Sequence, residues 1–275
     1  MKPRLVAVGD NVVDCYPDLG VMYPGGNALN VAVHARRLGA ESGYLGALGT
    51  DAAGRVVRGA LAAEDVDVSL TRTVDGPNAT ATVRLVDGER RFTGGDAGVS
   101  RFRLSHADLD RIAEADLVHT GECSFMEDQL ADLAASARRL SFDFSERPWG
   151  YVAAHAHHAG VAVVSAPSGS RDRAVALARR VQELGPATVA VTLGSAGAVL
   201  VCGDDAAWAP AEPVSVVDTL GAGDAFIARL LVGLVRDEDL PDLIAAATSY
   251  ASRACTSYGA FGHEAPLHSS TKESA

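Results

Sequence analysis

Lysine is almost missing from this sequence of 275 residues. The only two lysines, Lys2 and Lys272, lie near the chain ends, and all other basic residues are arginines. Chemistry that needs an internal lysine is therefore excluded. This removes the Walker P-loop, the lysine-bearing strand of protein kinases and Schiff-base catalysis from the candidate functions.

Cysteine and long apolar runs are also scarce. The four cysteines lie far apart and form no CxxC pair, which argues against a disulfide framework or a zinc site and fits reduced thiols. The opening MKPRLVAVGDNVVD has no apolar segment of the signal-peptide type. The most apolar late stretch, residues 222–235, contains Asp224 and Arg229 and is too short to cross a bilayer. We therefore expect a soluble, cytoplasmic protein.

The charge balance is acidic, with a net charge of −11 and a pI near 5.1. Proteins that bind nucleic acid usually carry a basic face, so this balance argues against such a partner. Apolar residues make up 48% of the chain and charged residues 21%, which is enough apolar material for a large core. A disordered tail protein, a disulfide miniprotein and a coiled coil are excluded.

Short apolar runs alternate with helical patterns along most of the chain. This alternation is typical of a parallel sheet with helices on both faces, so we predict an α/β fold. The predicted strands are 4–8, 43–48, 117–119, 141–144, 161–165 and 188–192, followed by a hairpin at 198–201 and 207–209. The predicted helices are 25–38, 52–63, 108–113, 126–139, 172–184, 222–235 and 240–252.

Between residues 71 and 92 the pattern changes to alternation of polar and apolar residues. Together with the Asp-Gly turn at 87–88, this alternation predicts an antiparallel hairpin. We interpret residues 1–265 as one α/β domain with a small β appendage built from segments 11–23 and 71–98. The polar residues 266–275 are expected to form a frayed tail.

The segment VDTLGAGDAF at 217–226 is the most informative one for chemistry. Gly221, Ala222 and Gly223 open a predicted helix, and their free N–H groups with the positive helix end can hold an anion. Asp224 follows in the first turn, where a carboxylate can accept the proton of a hydroxyl that attacks a phosphoryl group. Taken alone, the segment is equally compatible with a tight loop and a charge that stabilises the helix.

Two earlier segments carry polar groups that suit a sugar. The glycines at 25–26 allow close approach to the backbone, and Asn27 and Asn30 offer amide donors and acceptors for hydroxyl groups. Asp10 and Asp14 follow the first strand, at the sheet edge where α/β proteins bind ligands. The alternatives are that Asn27 caps a helix and that the carboxylates belong to a surface loop.

In this order and at this separation, PGGNALN (24–30) and DTLGAGD (218–224) resemble the motifs of the ribokinase (PfkB) family of carbohydrate kinases. The resemblance covers about residues 5–262. It implies a three-layer α/β domain with a mostly parallel central sheet and a small β lid over the sugar. It also implies ATP-dependent phosphorylation of a sugar hydroxyl, with ATP and Mg²⁺ as cofactors. The unburied face of the lid hairpin leads us to expect a homodimer.

The resemblance assigns roles residue by residue. The catalytic base corresponds to Asp224, and the anion hole to Gly221, Ala222 and Gly223. The sugar-binding positions are Asp14, Gly25, Gly26 and Asn30, with Asp10 and Asn27 as adjacent candidates. The nucleotide-binding positions are Thr192, Gly194, Gly197 and Thr219, and Asp218 matches a position that helps to hold a monovalent cation.

The sequence departs from the family pattern at two places. Many relatives carry N-x-x-E near residues 165–168 to organise Mg²⁺ through water, whereas this chain reads SAPS. Relatives often carry D-x-N-x-R where this chain has Asp143 to Arg147, with Ser145 in place of the asparagine. Mg²⁺ is still expected because the nucleotide phosphates need neutralisation, but its protein contacts are open.

Within the family, the sequence most resembles the fructoselysine 6-kinases. The resemblance rests on GDNVVDCYP (9–17), GNALNVAV (26–33), FDFS (142–145) and SAP (165–167). Such a substrate is a fructosamine, a sugar joined to the nitrogen of an amino acid. Its amine favours carboxylates at the sugar site, for which Asp10, Asp96 and Glu122 are candidates, although each is also compatible with a solvated surface charge.

Three alternative functions remain open. A fructokinase, or another ketose or sugar-acid kinase of the family, would share these motifs. A non-catalytic sugar-binding relative would fit the missing glutamate, although binding alone needs no base such as Asp224. A nicotinamide-dependent oxidoreductase could use a similar sheet, but no GxGxxG follows the first strand.

Overall fold

Strands and helices alternate through the computed structural model of the chain, which describes residues 2–86, 89–167 and 169–267. In chain order the strands are β1 (Arg4–Val8), β2 (Val12–Tyr16), β3 (Val21–Gly25), β4 (Glu41–Leu45), β5 (Ala47–Gly49), β6 (Arg72–Val74), β7 (Thr80–Val86), β8 (Glu89–Asp96), β9 (Leu117–Gly121), β10 (Leu140–Asp143), β11 (Val161–Ser165), β12 (Thr188–Thr192), β13 (Ala198–Cys202), β14 (Asp205–Ala209) and β15 (Ala265–Pro266). The helices are α1 (Asn27–Arg37), α2 (Ala52–Ala63), α3 (His106–Ile112), α4 (Leu130–Ser136), α5 (Trp149–His155), α6 (Arg171–Gln182), α7 (Ala222–Val235) and α8 (Leu240–Ala254).

The larger sheet provides the frame of the molecule. Its order is β14-β13-β12-β11-β10-β9-β1-β4. The strands from β12 to β4 are parallel to one another, while β13 and β14 form an antiparallel hairpin at one edge. This arrangement confirms the predicted α/β fold with a mostly parallel central sheet. The prediction was possible because strands that are buried on both faces have short, continuous apolar sequences rather than alternating ones.

Helices cover both faces of this sheet. Alternate residues of β1 show the division, since Leu5 and Ala7 join one buried apolar cluster and Val6 and Val8 contact the other. The first cluster contains residues of α1, α2, α7 and α8, and the second contains residues of α3, α4, α5 and α6. Within the described residues, no helix combines the length and the apolar character needed to cross a membrane.

A second, smaller sheet has the order β15-β3-β2-β7-β8. It contains the predicted hairpin as β7 and β8, whose predicted turn at residues 87–88 lies outside the described residues. Strand β2 pairs with β7, with Asp14 opposite Ala81, so the hairpin lies directly beside one of the predicted sugar-binding residues. Of the predicted frayed tail, Pro266 pairs with Val21 in this sheet and residues 268–275 are outside the described residues.

Glycines with a positive φ set where the two helices nearest the site begin. Gly26, with a φ of 111°, follows β3 directly, and α1 then starts at Asn27. Gly221, with a φ of 74°, precedes α7 in the same way. Both backbone conformations are unfavourable for residues with a Cβ, so the glycines allow each helix to start abruptly at the edge of the sheet.

The structure corrects several predicted boundaries. The strand predicted at 43–48 is divided at Gly46 into β4, which pairs with β1 in the larger sheet, and β5, which pairs with β6 in a separate two-stranded sheet. The helix predicted at 126–139 is reduced to α4, because the backbone becomes extended at Ala137. Helix α5 was not predicted, and α1 begins two residues later than predicted because Gly25 ends β3.

Replacing each of two glycines of α2 by alanine should change the stability of the protein in opposite directions. A Cβ at Gly59 would meet no atom within 4 Å, whereas a Cβ at Gly54 would overlap the carbonyl oxygen of Gly49. Gly59→Ala should therefore raise the free energy of unfolding by about 0.5–1 kcal/mol. Gly54→Ala should lower it by about 1–3 kcal/mol, because the backbone must move. Urea unfolding of both variants measures the difference, and equal effects would contradict the packing described for α2.

Candidate active site

Two strand ends and two helix starts meet at one edge of the larger sheet. Asp10 follows β1, Asp143 ends β10, and α1 and α7 begin at Asn27 and Ala222. Ligands of α/β proteins bind outside the carboxyl ends of parallel strands, and helix N-termini attract anions. The polar side chains that this edge brings together are therefore the candidate active site.

The carboxylate of Asp224 is held by two amides from α1. Its Oδ1 accepts a hydrogen bond from Asn27 Nδ2 at 2.8 Å, and its Oδ2 accepts one from Asn30 Nδ2 at 2.6 Å. The side chain is half-buried. Since each carboxylate oxygen has two lone pairs, Asp224 keeps capacity for a further donor such as a substrate hydroxyl.

Asp10 acts as the cap of α1 in this structure. Its Oδ2 accepts a hydrogen bond from the N–H of Asn27 at 2.8 Å, and its Oδ1 accepts from the N–H of Ala28 at 3.2 Å. The hydroxyl of Ser124 donates to the same Oδ1 at 2.7 Å. The bonds from Asn27 and Ala28 satisfy N–H groups at the helix start that have no partner inside the helix. The binding of sugar by Asp10 stays a prediction, and its carboxylate already has these three donors.

Asn27 connects a buried histidine to two carboxylates. Its Nδ2 donates to Asp143 Oδ2 at 2.9 Å as well as to Asp224, and its Oδ1 lies 3.1 Å from His119 Nε2. The other ring nitrogen of His119 lies 3.1 Å from the hydroxyl oxygen of Ser141. The amide of Asn27 thus uses both of its polar atoms within the site.

Burial raises the pKa values of the carboxyl groups at this edge. The pKa of Asp224 is raised to about 6 by desolvation, against the two asparagine hydrogen bonds, which lower it. The pKa of Asp143 is raised to about 7 by desolvation and by the negative charges of Asp224, Glu122 and Asp10. Carboxyl groups with pKa values near neutrality are suited to take up and release protons at physiological pH.

The predicted sugar-binding residues lie beside this cluster. Asp14 and Asn30 are buried, at 2% and 3% exposure. A Cβ at Gly25 would overlap Oδ2 of Asp14, so the lack of a side chain there lets the carboxylate pack against the backbone. The Oδ1 of Asn30 is buried and accepts no hydrogen bond from the described residues, which leaves an acceptor for a ligand hydroxyl.

The glycine before α7 and the glycine in its first turn are present for two different reasons. Gly221 has a positive φ, and a Cβ there would overlap the side chain of Ala260. Gly223 is exposed, and a Cβ there would meet no atom within 4 Å. Glycine within a helix costs about 0.5–1 kcal/mol relative to alanine, and no contact of Gly223 requires it. Close approach of a ligand to the first turn of α7 is a sufficient reason for glycine at this position.

A cleft of about 660 Å³ opens beside this loop. Its lining includes all four predicted nucleotide-binding residues and two residues of the predicted anion hole, namely Thr192, Gly194, Gly197, Thr219, Ala222 and Gly223. Apolar side chains from the loop before α7, from α7, from α8 and from the residue after α8 line another part of it, namely Val214, Val216, Phe226, Ala251 and Cys255. A mixed polar and apolar cleft of this size can hold a nucleotide.

Comparisons with known proteins identify the family. Residues 5–265 match the model of the pfkB family carbohydrate kinases. The chain is 38% identical over 269 residues to the fructosamine kinase FrlD of Bacillus subtilis, a match that covers 96% of this chain and 94% of that protein. The chain belongs to the pfkB family of carbohydrate kinases. The family resemblance inferred from the motifs is thereby confirmed, and the enzyme class is a sugar kinase.

Other relatives agree with this membership. The fructoselysine 6-kinase of Escherichia coli is 35% identical, over 94% of this chain and 99% of that protein. A fructokinase of Klebsiella pneumoniae is 33% identical, over 90% of this chain and 89% of that protein. A structure of Arabidopsis thaliana ribokinase with ribose and ATP matches the fold with a TM-score of 0.82, at 23% identity and 95% coverage of both chains.

The aspartate at the start of the kinase's DTLGAGD segment is held by distant parts of the chain. Asp218 Oδ2 accepts hydrogen bonds from the hydroxyl of Tyr16 at 2.9 Å and from the N–H of Gly259 at 3.1 Å. Its Oδ1 accepts from the N–H of Leu220 at 3.0 Å. The predicted monovalent cation at Asp218 stays a prediction, and the carboxylate already accepts these three hydrogen bonds.

An ion pair lies next to the carboxylate cluster of this carbohydrate kinase. Glu122 follows the end of β9, and its Oε2 binds Arg147 Nη2 at 2.6 Å and Nε at 2.8 Å. Its charge contributes to the raised pKa of Asp143. Glu122 and Asp96 are both candidates for contact with an amine. Asp96 lies on β8, where its Oδ1 accepts a hydrogen bond from the N–H of Gly98.

The sequence interpretation missed three side chains that shape the site. His119 lies in the middle of β9, and an ionisable residue within a predicted buried strand was the signal that could have identified it. Ser124 and Tyr16 carried no comparable signal, because their partners Asp10 and Asp218 are 114 and 202 residues away.

Replacing Asp143 by asparagine should flatten the pH dependence of stability. The pKa of Asp143 is raised to about 7 in the folded protein, so the folded state binds this proton more tightly than the unfolded chain does. Stability is therefore lost as the pH rises from about 4 to about 7. In urea unfolding between about pH 5 and pH 8, the stability of the wild type relative to Asp143→Asn should fall with rising pH.

The matched control is Asp110→Asn, an exposed carboxylate on α3. This variant should keep the pH slope of the wild type. Identical slopes for the wild type and Asp143→Asn would contradict the raised pKa of Asp143.

Proposed function

We propose that this chain transfers the γ-phosphoryl group of ATP to a hydroxyl of a fructosamine, with fructoselysine as the substrate and its 6-phosphate as the product. The observation that carries the proposal is the full-length similarity to fructosamine kinase FrlD and fructoselysine 6-kinase, at 38% and 35% identity. The same comparison gives 33% for a fructokinase. A fructokinase is therefore the second candidate.

In the proposed reaction, Asp224 is the catalytic base. The acceptor hydroxyl donates a hydrogen bond to the Asp224 carboxylate, and its oxygen attacks the γ-phosphorus. As the new O–P bond forms, the hydroxyl proton passes to Asp224 and the bond to the β-phosphate oxygen breaks, which releases ADP. The amides of Asn27 and Asn30 support this role because they hold both carboxylate oxygens in place.

The start of α7 is proposed to stabilise the charge of the transferring phosphoryl group. The N–H groups of Gly223 and Asp224 lie in the first turn of α7, where backbone N–H groups have no acceptor within the helix. The N–H of Ala222 makes a long hydrogen bond of 3.3 Å to the carbonyl of Thr219, which a phosphate oxygen could replace. Of the predicted anion hole, the N–H groups of Ala222 and Gly223 are therefore the ones proposed to bind phosphoryl oxygens, with the N–H of Asp224 beside them.

The cleft beside α7 is the proposed ATP site, since ATP is present in related solved structures such as the Arabidopsis thaliana ribokinase. Mg²⁺ in phosphoryl-transfer sites is held by one or two carboxylates together with the phosphates. Glu146 lines this cleft beside Ser165 and Pro167, so it would help to hold Mg²⁺ in place of the missing N-x-x-E glutamate. Bound Mg²⁺ would neutralise charge on the phosphates.

The smaller sheet is proposed to cover the sugar as a lid. Its strand β2 carries Asp14, and the β7–β8 hairpin extends from β2. Phe92 on β8 is 60% exposed, an apolar surface that a second copy of the chain would cover. Dimerisation through this sheet therefore remains our expectation, and light scattering of the purified protein measures it.

The fructosamine nitrogen is proposed to contact Glu122. The preceding residue, Gly121, lies against Oδ1 of Asn27, which places Glu122 beside the cluster that holds Asp224. Arg147 fixes Oε2 of this carboxylate, and among the described residues Oε1 accepts one weak hydrogen bond, from Cys123 Sγ at 3.3 Å. A carboxylate that is oriented in advance can accept a charge-assisted hydrogen bond from a protonated amine.

Replacing Asp224 by asparagine should lower the single-turnover rate of phosphorylation by about 10²–10⁴-fold. The substitution keeps the shape of the side chain but removes the basic carboxylate, so the binding of ATP should change little. In the wild type, kcat/KM should fall below about pH 6, because protonation of Asp224 removes the base.

The matched control is Asp242→Asn, which changes an exposed aspartate in the first turn of α8. It should keep the wild-type rate. If Asp224→Asn retains more than about a tenth of that rate, Asp224 is not the base, and the role passes to another carboxylate of the site.

Fructoselysine should exceed free fructose by at least about tenfold in kcat/KM, because its amine adds one charged contact and its amino acid part is buried. Glu122→Gln should reduce this ratio by about tenfold, because the amide is a weaker acceptor than the carboxylate. Coupled ADP-release assays with both sugars measure the ratio for the wild type and the variant.

The control for this test is Asp128→Asn, an exposed carboxylate in the turn that follows. Its ratio should equal that of the wild type. Equal or faster turnover of fructose by the wild type would assign the chain as a fructokinase, and an unchanged ratio in Glu122→Gln would place the amine elsewhere.

A further inference from the structure

His119 occupies an unusual place for an ionisable side chain. It lies on β9 between β1 and β10, and its exposure is 0%. Alternation along the strand directs Leu117 and His119 toward α1, while Val118 and Thr120 point to the opposite face of the sheet. A buried polar side chain at this depth needs its hydrogen bonds satisfied, and both of its ring nitrogens have partners.

The partners of His119 determine its protonation state. They are the amide oxygen of Asn27 and the hydroxyl of Ser141, each at 3.1 Å, and neither of them is a carboxylate. Burial without a counter-ion lowers the pKa of His119 to about 3, so the ring is neutral at physiological pH. A neutral ring donates from one nitrogen and accepts at the other.

The direction of the hydrogen bonds follows from Asn27. Its Nδ2 donates to Asp143 and Asp224, so its Oδ1 is the atom that faces the ring. An amide oxygen can only accept, so Nε2 of His119 carries the hydrogen and Nδ1 accepts from the hydroxyl of Ser141. The order of donors is therefore Ser141 to His119, His119 to Asn27, and Asn27 to the two carboxylates.

We infer that His119 is a positioning residue of this kinase, which anchors the Asn27 amide so that one nitrogen serves the carboxylates of Asp143 and Asp224 together. Without a donor at Nε2, the amide of Asn27 is held only by the two carboxylates and can turn toward either one. The inference rests on the proposed role of Asp224 as the base. The orientation of this base is then determined by His119, a residue in the interior of the larger sheet, acting through Asn27.

The sharpest test compares two replacements of His119. His119→Gln places a side-chain N–H near the position of Nε2, whereas His119→Leu fills a similar volume without a donor. His119→Leu should lower kcat by about tenfold to a hundredfold, the range expected for a hydrogen bond to a group that positions a charge. His119→Gln should stay within about threefold of the wild type. Ser141→Ala should lower kcat by about two- to tenfold, because it only weakens the choice of tautomer.

The pH profile separates positioning from a general loss of structure. Hydrogen bonds from Asn27 lower the pKa of Asp224, so their weakening in His119→Leu should move the acid limb of kcat/KM to higher pH, by about 0.5–1 unit. The charged groups that act on these carboxyls are Asp10 for Asp224, and Asp224, Glu122 and Asp10 for Asp143, and none of these substitutions changes any of them. A merely structural role would lower the amount of active enzyme and leave the limb in place.

The matched control is Thr120→Val. Thr120 is the next residue of β9, is fully buried on the opposite face, and its hydroxyl has no hydrogen-bond partner among the described residues. This nearly isosteric change should leave kcat and the pH profile as in the wild type. Thermal unfolding of each variant confirms that the proteins are folded in the assay.

Two results would overturn the inference. One is a wild-type kcat and an unmoved acid limb in His119→Leu. The other is an equal loss in His119→Leu and His119→Gln with an unmoved limb, which would indicate packing alone. Asp224→Asn is assayed in parallel, with whichever of fructoselysine and fructose the wild type turns over faster. This variant separates the proposed role of Asp224 from the inferred role of His119. Activity in Asp224→Asn refutes the base, whereas an inactive Asp224→Asn with a normal His119→Leu refutes only the role of His119.

Discussion

The side-chain amide of Asn27 is the contact on which the arrangement of the candidate active site depends. It joins the start of α1 to the end of β10 through Asp143 and to the start of α7 through Asp224. Three carboxyl groups with raised pKa values, Asp10, Asp143 and Asp224, lie close enough to repel one another. Donors from α1, both backbone and side chain, offset this repulsion and allow the carboxylates to share one edge of the sheet.

The start of α7 depends on a different constraint, which acts on the backbone. Gly221 approaches Ala260 so closely that a side chain at this position would overlap it. The N–H groups of Val217 and Asp218 donate to the carbonyl of Cys255, and Gly259 donates to the carboxylate of Asp218. The segment that follows α8 therefore holds the DTLGAGD loop against the sheet edge. These contacts fix the backbone that leads into the proposed phosphate-binding N–H groups, which suits a site that stabilises charge without reorganisation.

A hydrogen bond and an apolar contact connect the smaller sheet to this loop, since Leu220 packs against Tyr16, Tyr23 and Val83. Tyr16 on β2 donates to Asp218, and the same strand carries Asp14 into the predicted sugar site. A movement of the smaller sheet would therefore act on the predicted sugar-binding segment and the proposed phosphate-binding segment together. This connection gives a physical basis for coupling sugar binding to the geometry of the DTLGAGD loop in a carbohydrate kinase of this family.

The sequence by itself determined the fold class, the family and the residues of the two glycine motifs. Helices α2 and α7 match the predicted 52–63 and 222–235, because their apolar periodicity and their boundary residues are local signals. The parallel strands were recognisable for the same reason, since burial on both faces produces short apolar runs. The motifs carried the assignment to the family, because glycines, asparagines and carboxylates at fixed separations are visible without a structure.

Only the tertiary structure decided which of these residues touch one another. The sequence predicted Asp10 at a sugar site. In the fold, its carboxylate accepts hydrogen bonds from the start of α1 and from the hydroxyl of Ser124. His119 gained its place beside Asn27 from the pairing of β9 with β1 and β10, across 92 residues of sequence. Such contacts depend on strand order and on the packing of helices against the sheet. Neither is encoded in the local periodicity from which strands and helices are predicted.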